Sequence, residues 1–111
     1  MIKNAKITGT FLGYGDHGIL TYYISLDYGD SFQSFGGYAL DRYDKEQERR
    51  VGSAIGMDHI ASILSVLEVD SWEKLEGEYI RVEAVSNTVM KIGHVIKDEW
   101  FNPEDYFKND V

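Results

Sequence analysis

Residues 19–28 are Ile-Leu-Thr-Tyr-Tyr-Ile-Ser-Leu-Asp-Tyr. Within this stretch every second residue is apolar or aromatic, namely Leu20, Tyr22, Ile24, Leu26 and Tyr28. Successive side chains of a strand point to opposite faces, so this alternation predicts a β-strand with one buried face.

One strand is predicted on each side of this segment. Residues 5–14 carry Ile7, Phe11 and two threonines and lead into a glycine-rich turn. Residues 32–40 follow Gly29-Asp30-Ser31 and form a third strand interrupted by Gly36-Gly37. Because such short turns leave no room for a crossover, the three strands are expected to form an antiparallel meander.

A helix is predicted after a highly charged excursion over residues 41–50. Apolar side chains recur at helical spacing over residues 57–69, which is typical of an amphipathic helix. The expected stripe is Met57, Ile60, Ala61, Leu64 and Leu67, widened by Ile63 and Val66. Asp70-Ser71-Trp72-Glu73 then has capping-box spacing and predicts a short second helical turn.

The C-terminal part predicts a hairpin and a last helical turn. Residues 79–85 alternate as a half-buried strand, residues 89–96 are its expected partner, and Asn102-Pro103 opens the helical turn. The order βββ-α-ββ predicts one α+β domain over residues 1–111, with an antiparallel sheet of about five strands packed by one main helix. The expected core comprises Leu20, Ile24, Leu26, Ile60, Leu64, Leu67, Ile80 and Val82.

Composition limits the classes of function. The 111 residues include no cysteine, which favours a reducing compartment. No membrane span or signal peptide is recognised, so a cytoplasmic protein is expected. Nineteen acidic against eleven basic residues give a net charge of −8, and residues 68–111 alone carry −6. A surface of this charge repels nucleic acid and anionic membranes, so direct binding to either is not expected.

Catalytic, metal and cofactor patterns are not found in the sequence. His17, His59 and His94 do not have the spacing of metal ligands, and no serine stands in a nucleophile elbow. Adjacent carboxylates such as Asp98-Glu99 are explained as solvated charge. We therefore predict a protein without catalytic residues, bound metal or cofactor.

Two adjacent glycines inside the third strand allow two interpretations. Glycine in a strand usually marks a bulge, a bend or the close approach of another backbone, and this explanation is favoured. Alternatively, Gly36 and Gly37 form the floor of a pocket with Tyr38 as a wall and Arg42 as a phosphate ligand. Such a pocket would sequester a nucleotide second messenger.

Four stretches of the chain resemble a family of small proteins of tailed phages and prophages. They are residues 7–21 (Ile-Thr-Gly-Thr-Phe-Leu-Gly-Tyr-Gly-Asp-His-Gly-Ile-Leu-Thr), 35–41 (Phe-Gly-Gly-Tyr-Ala-Leu-Asp), 70–75 (Asp-Ser-Trp-Glu-Lys-Leu) and 93–101 (Gly-His-Val-Ile-Lys-Asp-Glu-Trp-Phe). The resemblance spans most of the chain and transfers no functional residue. It implies an accessory phage protein acting in the bacterial host cytoplasm, where small acidic proteins often block host defence machinery.

The favoured functional hypothesis is an inhibitor of the anti-CRISPR kind that binds a host protein, such as a nuclease or a subunit of an effector complex. Its acidic surface would compete with nucleic acid for Arg and Lys. Trp72 would be an aromatic anchor if it is exposed. The expected partner-binding residues are Glu68, Asp70, Trp72, Glu73, Glu76, Glu78 and Glu83. The second-messenger sponge is the alternative, a phage assembly accessory is a third possibility, and the oligomeric state is left open.

Overall fold

The computed structural model describes residues 1–29 and 31–107, with Phe107 described by its backbone only. Asp30, expected in a turn, lies outside the described residues. The strands are β1 Ile2–Tyr14, β2 Leu20–Asp27, β3 Phe32–Gly36, β4 Asp41–Asp44, β5 Arg49–Gly52, β6 Tyr79–Val85, β7 Thr88–Gly93 and β8 Trp100–Phe101. The helices are α1 Ala54–Leu67 and α2 Glu104–Phe107, and short 3-10 turns cover Asp16–Gly18 and Trp72–Lys74.

The fold is α+β, as predicted. Six strands form one sheet in the order β3-β2-β1-β6-β7-β8, in which all neighbours are antiparallel, and β4 and β5 form a separate hairpin. The β1–β2–β3 meander and the β6–β7 hairpin are therefore confirmed. No helix in the described part of the chain is long and apolar enough to cross a membrane.

The hairpin β4–β5 replaces the irregular excursion expected over residues 41–50. Its turn is stabilised by the Asp44 carboxylate, which accepts hydrogen bonds from the backbone N–H of Glu46 (2.9 Å) and of Gln47 (3.4 Å). At its base the buried Asp41 accepts a hydrogen bond from Arg50 (2.8 Å), which lowers the pKa of that carboxyl. Short-range hydrogen bonds thus make a strand pair from a segment without apolar alternation.

Helix α1 begins at Ala54 rather than at residue 57. Ser53 caps it by accepting a hydrogen bond from the backbone N–H of Gly56 (3.0 Å), which satisfies one of the free donors of the first turn. The buried face comprises Gly56, His59, Ile63 and Leu67. Met57 is 68% exposed, so the predicted apolar stripe was displaced by about one residue around the helix.

The predicted core is otherwise mostly confirmed. Five of the eight expected core residues are buried, namely Ile24, Leu26, Leu67, Ile80 and Val82. The other three are only partly buried against the core, namely Leu20, Ile60 and Leu64.

Buried rings surround His59 between α1 and the sheet. Its ring centroid lies 4.7 Å from that of Tyr106, 5.2 Å from that of Phe101 and 5.6 Å from that of Tyr38. The Tyr22 hydroxyl lies 3.3 Å from His59 Nδ1. Burial lowers the pKa of His59 and raises the pKa of Tyr22, so both groups are neutral in the folded protein near pH 7.

We expect His59 to make the stability of the protein depend on pH between about 7 and 5. In the unfolded chain a histidine takes up a proton below a pKa of about 6.5. Because burial lowers the pKa of His59 in the folded state, stability is complete above pH ~6.5 and falls as the pH drops below it. Urea unfolding at pH 7.5 and 5.5 measures this loss, which should be smaller in His59→Phe.

Two features of that experiment control for other effects. Loss of the contact with Tyr22 in His59→Phe lowers stability at both pH values and therefore does not alter the difference between them. His17→Asn removes an exposed histidine from the 3-10 turn, where the positive φ of 62° suits asparagine. An equal pH-dependent loss in wild type and His59→Phe would contradict the assignment.

Candidate functional site

Half of the six acids predicted to bind a partner are paired with cations of the same chain. Glu68 contacts His94 Nε2 at 2.8 Å and also accepts a hydrogen bond from Lys97. The remaining pairs are Asp70 with Lys74 at 2.8 Å and Glu83 with Lys91 at 3.3 Å. The hydrogen bond from Lys97 lowers the pKa of Glu68, and the one from Lys74 lowers the pKa of Asp70. These carboxylates are therefore less available to a basic partner.

Trp72 is not an exposed anchor. Its ring packs edge-on against that of Tyr22, with 5.8 Å between centroids and an interplanar angle of 76°. It is partly buried against the hydrophobic core. The contribution of Trp72 is thus to hold the segment after α1 against the sheet.

Glu73, Glu76 and Glu78 are exposed and form no ion pair with another described residue. Their segment is anchored to β1, because the N–H of Gly77 donates to the Ile7 carbonyl and the N–H of Ile7 donates to the Glu78 carbonyl, both at 2.8 Å. The segment that carries Glu76 and Glu78 therefore lies beside the middle of β1.

Strand β1 has a free edge immediately beyond this point. It pairs with β6 over residues 2–6 only, whereas its pairing with β2 continues to Tyr14. A bulge between Ile7 and Gly9 separates the two parts. Among the described residues, no strand pairs with the β6 side of residues 8–14. Glu76 flanks this edge, since its Oε1 lies 3.8 Å from where a Cβ on Gly9 would be.

The outward backbone groups of this edge follow from the neighbouring hydrogen bonds. The carbonyls of Leu20 and Tyr22 accept from the β3 side, at 2.8 Å from Leu40 N and Gly37 N respectively. Backbone groups alternate in direction along a strand, so Leu20, Tyr22 and Ile24 all direct their N–H and C=O groups toward β3 and form no backbone hydrogen bonds to β1. The residues opposite them in β1 therefore direct their own N–H and C=O groups away from β2, toward the free edge. These residues are Tyr14, Leu12 and Thr10, respectively.

Natural sheets usually protect such an edge with charge, proline or a covering segment. Residues 7–14, Ile-Thr-Gly-Thr-Phe-Leu-Gly-Tyr, contain no charged residue and no proline. The bulge near Gly9 lies at one end only. Leu12 is 42% exposed and Tyr14 is 71% exposed. The edge is therefore open to pairing with another extended segment.

An apolar groove of about 470 Å³ reaches this edge at Leu12. Leu12 and Leu20 line the sheet side, and Met57 and Ile60 line the α1 side, with Leu40 also contributing. Since Leu12 lies opposite the buried Tyr22, its side chain is on the α1 face of the sheet. Free backbone groups and an apolar recess thus occur side by side.

The residues proposed for a ligand pocket serve packing in this structure. A Cβ on Gly36 would lie 2.3 Å from the Tyr22 carbonyl oxygen, and Gly36 has a φ of +131°. Tyr38 packs on Tyr22 with 6.3 Å between centroids, and Arg42 is exposed on β4. Close backbone approach, the favoured interpretation, accounts for Gly36, and a φ of +84° accounts for Gly37. Their positive φ values end β3 at Gly36 rather than at residue 40.

Neither a metal centre nor a known relative explains the site. Within residues 1–29 and 31–107, no three histidine, aspartate or glutamate side chains converge as metal ligands would. Comparisons of the chain with protein-family models, curated proteins and solved structures find no match. Neither the free edge nor the groove was predicted from the sequence. The uncharged run of residues 7–14 was the available signal for the edge.

Proposed function

We propose that this protein binds another protein by β-strand addition, in which an extended basic segment of the partner pairs with residues 8–14 of β1. One observation carries the proposal: a free, uncharged strand edge lies beside the segment that carries the unpaired carboxylates of Glu76 and Glu78. In strand addition, main-chain hydrogen bonds provide affinity and neighbouring side chains provide specificity. Each hydrogen bond contributes about 0.5–1.5 kcal/mol net.

Charge complementarity selects a basic partner over a second copy of the chain. Two copies would each bring a net charge of −8 to the interface, whereas Lys and Arg of a partner would face Glu76 and Glu78. Such complementarity mainly speeds association and excludes wrong partners. The relevant acidic set is thus narrower than the six acids expected from sequence.

Proteins that handle nucleic acid carry basic segments of this kind, because Lys and Arg hold the phosphates. Occupying such a segment would exclude nucleic acid from it. Together with the resemblance to phage proteins, this supports an inhibitor of a host nuclease or effector-complex subunit acting in the bacterial cytoplasm.

A library of displayed random twelve-residue peptides tests strand addition without a known partner. We expect the protein to select basic peptides, and Thr10→Pro to lose their binding, because proline removes the outward N–H and obstructs a docked strand. Ser34→Pro is the matched control, since it places proline at an outward position of the opposite edge strand, β3. Circular dichroism verifies that both variants fold.

Amide hydrogen exchange locates the bound peptide. In the free protein the amides of Thr10, Leu12 and Tyr14 should exchange quickly and those of Phe11 and Gly13 slowly, because the latter pair with β2. A selected peptide should protect the first group. Unchanged exchange there, or full binding by Thr10→Pro, would overturn strand addition.

Neutralisation tests the role of the carboxylates. Changing Glu76 and Glu78 to Gln should slow association and flatten its salt dependence, whereas the same change at the exposed Glu46 and Glu48 should have less effect. Equal effects of the two pairs would refute a local role for Glu76 and Glu78. If light scattering showed a dimer that Thr10→Pro dissociates, the occupant would be a second copy and the basic-partner proposal would be wrong.

A further inference from the structure

We infer, on the basis of the proposed strand addition, that the groove beside Leu12 selects one large apolar residue of the docked segment, and that a Lys or Arg three positions away faces Glu76. This assigns a sequence pattern to the partner. It follows from the faces on which the groove and the carboxylate lie.

The apolar residue is placed by cross-strand geometry. Residues directly opposite in neighbouring strands point to the same face, with Cβ atoms about 4.5–5.5 Å apart. The side chain of Leu12 is on the α1 face, where it lines the groove with Leu20, Met57 and Ile60. A docked residue opposite Leu12 therefore places its own side chain on the α1 face, next to the Leu12 wall of the groove.

The groove has the size and chemistry for such a side chain. Its volume is about 470 Å³, and its lining is mainly aliphatic. Leu12 and Met57 are 42% and 68% exposed, so an apolar occupant would remove apolar surface from water at both walls. Met57 has a flexible thioether side chain that adapts to different partners. We expect leucine, isoleucine, methionine or phenylalanine here.

The basic residue is placed by alternation along the strand. Gly9 and Leu12 are three positions apart, so their side-chain directions lie on opposite faces of the sheet. The position that a Cβ on Gly9 would take is 3.8 Å from Glu76 Oε1. A docked residue opposite Gly9 thus meets this carboxylate on the face away from α1. A spacing of two or four would put both residues on one face.

Synthetic nine-residue peptides of threonine and valine, each with one leucine and one lysine, test the pattern. The two residues are placed two, three or four positions apart, in both orders because either strand direction is allowed. In at least one of the two orders, we expect the peptides with leucine and lysine three positions apart to bind about tenfold more tightly than those with a spacing of two or four. Replacing the leucine by alanine should weaken binding by a similar factor.

A charge placed in the groove tests the same inference from the protein side. Met57→Asp should weaken binding of the leucine peptide about tenfold. It should increase the affinity for the peptide in which lysine replaces leucine. Ala61→Asp adds the same charge one helical turn further along α1, at an exposed position outside the groove lining, and should have a clearly smaller effect on both affinities. The first helical turn accepts aspartate, so Met57→Asp should fold.

The outcomes separate this inference from the proposed function. If Thr10→Pro abolishes peptide binding while Met57→Asp and the spacing have no effect, strand addition holds and the groove assignment is wrong. If Thr10→Pro leaves peptide binding intact, strand addition itself fails. Equal binding of the leucine and alanine peptides would also overturn the groove assignment.

Discussion

Gly56→Ala is expected to destabilise the protein by about 3 kcal/mol or more. An added Cβ would lie 2.0 Å from the Leu40 carbonyl oxygen and 2.6 Å from its carbon, so backbone would have to move. Relaxation is restricted because Ser53 Oγ donates to that same carbonyl at 3.2 Å. The free energy of unfolding in urea measures the effect.

The sign of this change distinguishes packing from helix propensity. In an exposed helix, replacing glycine by alanine stabilises by roughly 1 kcal/mol. Gly52→Ala is the matched control, because nothing lies within 4 Å of its added Cβ. It should leave stability nearly unchanged. Were Gly56→Ala as stable as the wild type, α1 would not be seated against residue 40, and the groove between α1 and the sheet would have a different width.

The strands of the sheet were predictable because their signal is local. Alternation in residues 19–28 and 79–85 depends only on neighbouring residues, and both segments form strands. The β4–β5 hairpin was missed because its turn is made by the Asp44 side chain rather than by alternation. Sequence patterns of apolarity do not report such hydrogen bonds.

The candidate site was only partly predictable because its properties arise between distant parts of the chain. The negative charge of Glu68 is paired with the ammonium group of Lys97, which is 29 residues away in the sequence. The free edge exists because the pairing of β1 with β6 ends at Lys6, opposite the first residue of β6, and this register is set by the tertiary structure. The acids of this segment were visible in the sequence, but which of them are paired with a cation depends on the tertiary structure.

The face of α1 illustrates a different limit. The predicted stripe counted apolar side chains and therefore gave no weight to Gly56 and His59, which are both buried. Gly56 is buried because α1 approaches the backbone at Leu40, and His59 because aromatic rings enclose it. Neither reason is visible in hydrophobic periodicity alone, so the stripe was centred one position away from the true contact.

Ile63→Ala and Leu64→Ala together measure this shift. Ile63 is fully buried at 0% exposure, whereas Leu64 is only partly buried against the core. We expect Ile63→Ala to lower the free energy of unfolding by about 2–5 kcal/mol, because it removes buried methyl groups and leaves a cavity.

Leu64→Ala should cause a clearly smaller loss, because part of that side chain is already in contact with water and the site can collapse more easily. Both variants lose aliphatic carbons at consecutive helix positions, and alanine favours the helix in both cases. A difference between them therefore reports the direction in which α1 faces the sheet. If Leu64→Ala were the more damaging change, the helix would be rotated toward the stripe expected from sequence, and Met57 and Ile60 would no longer border the groove beside Leu12.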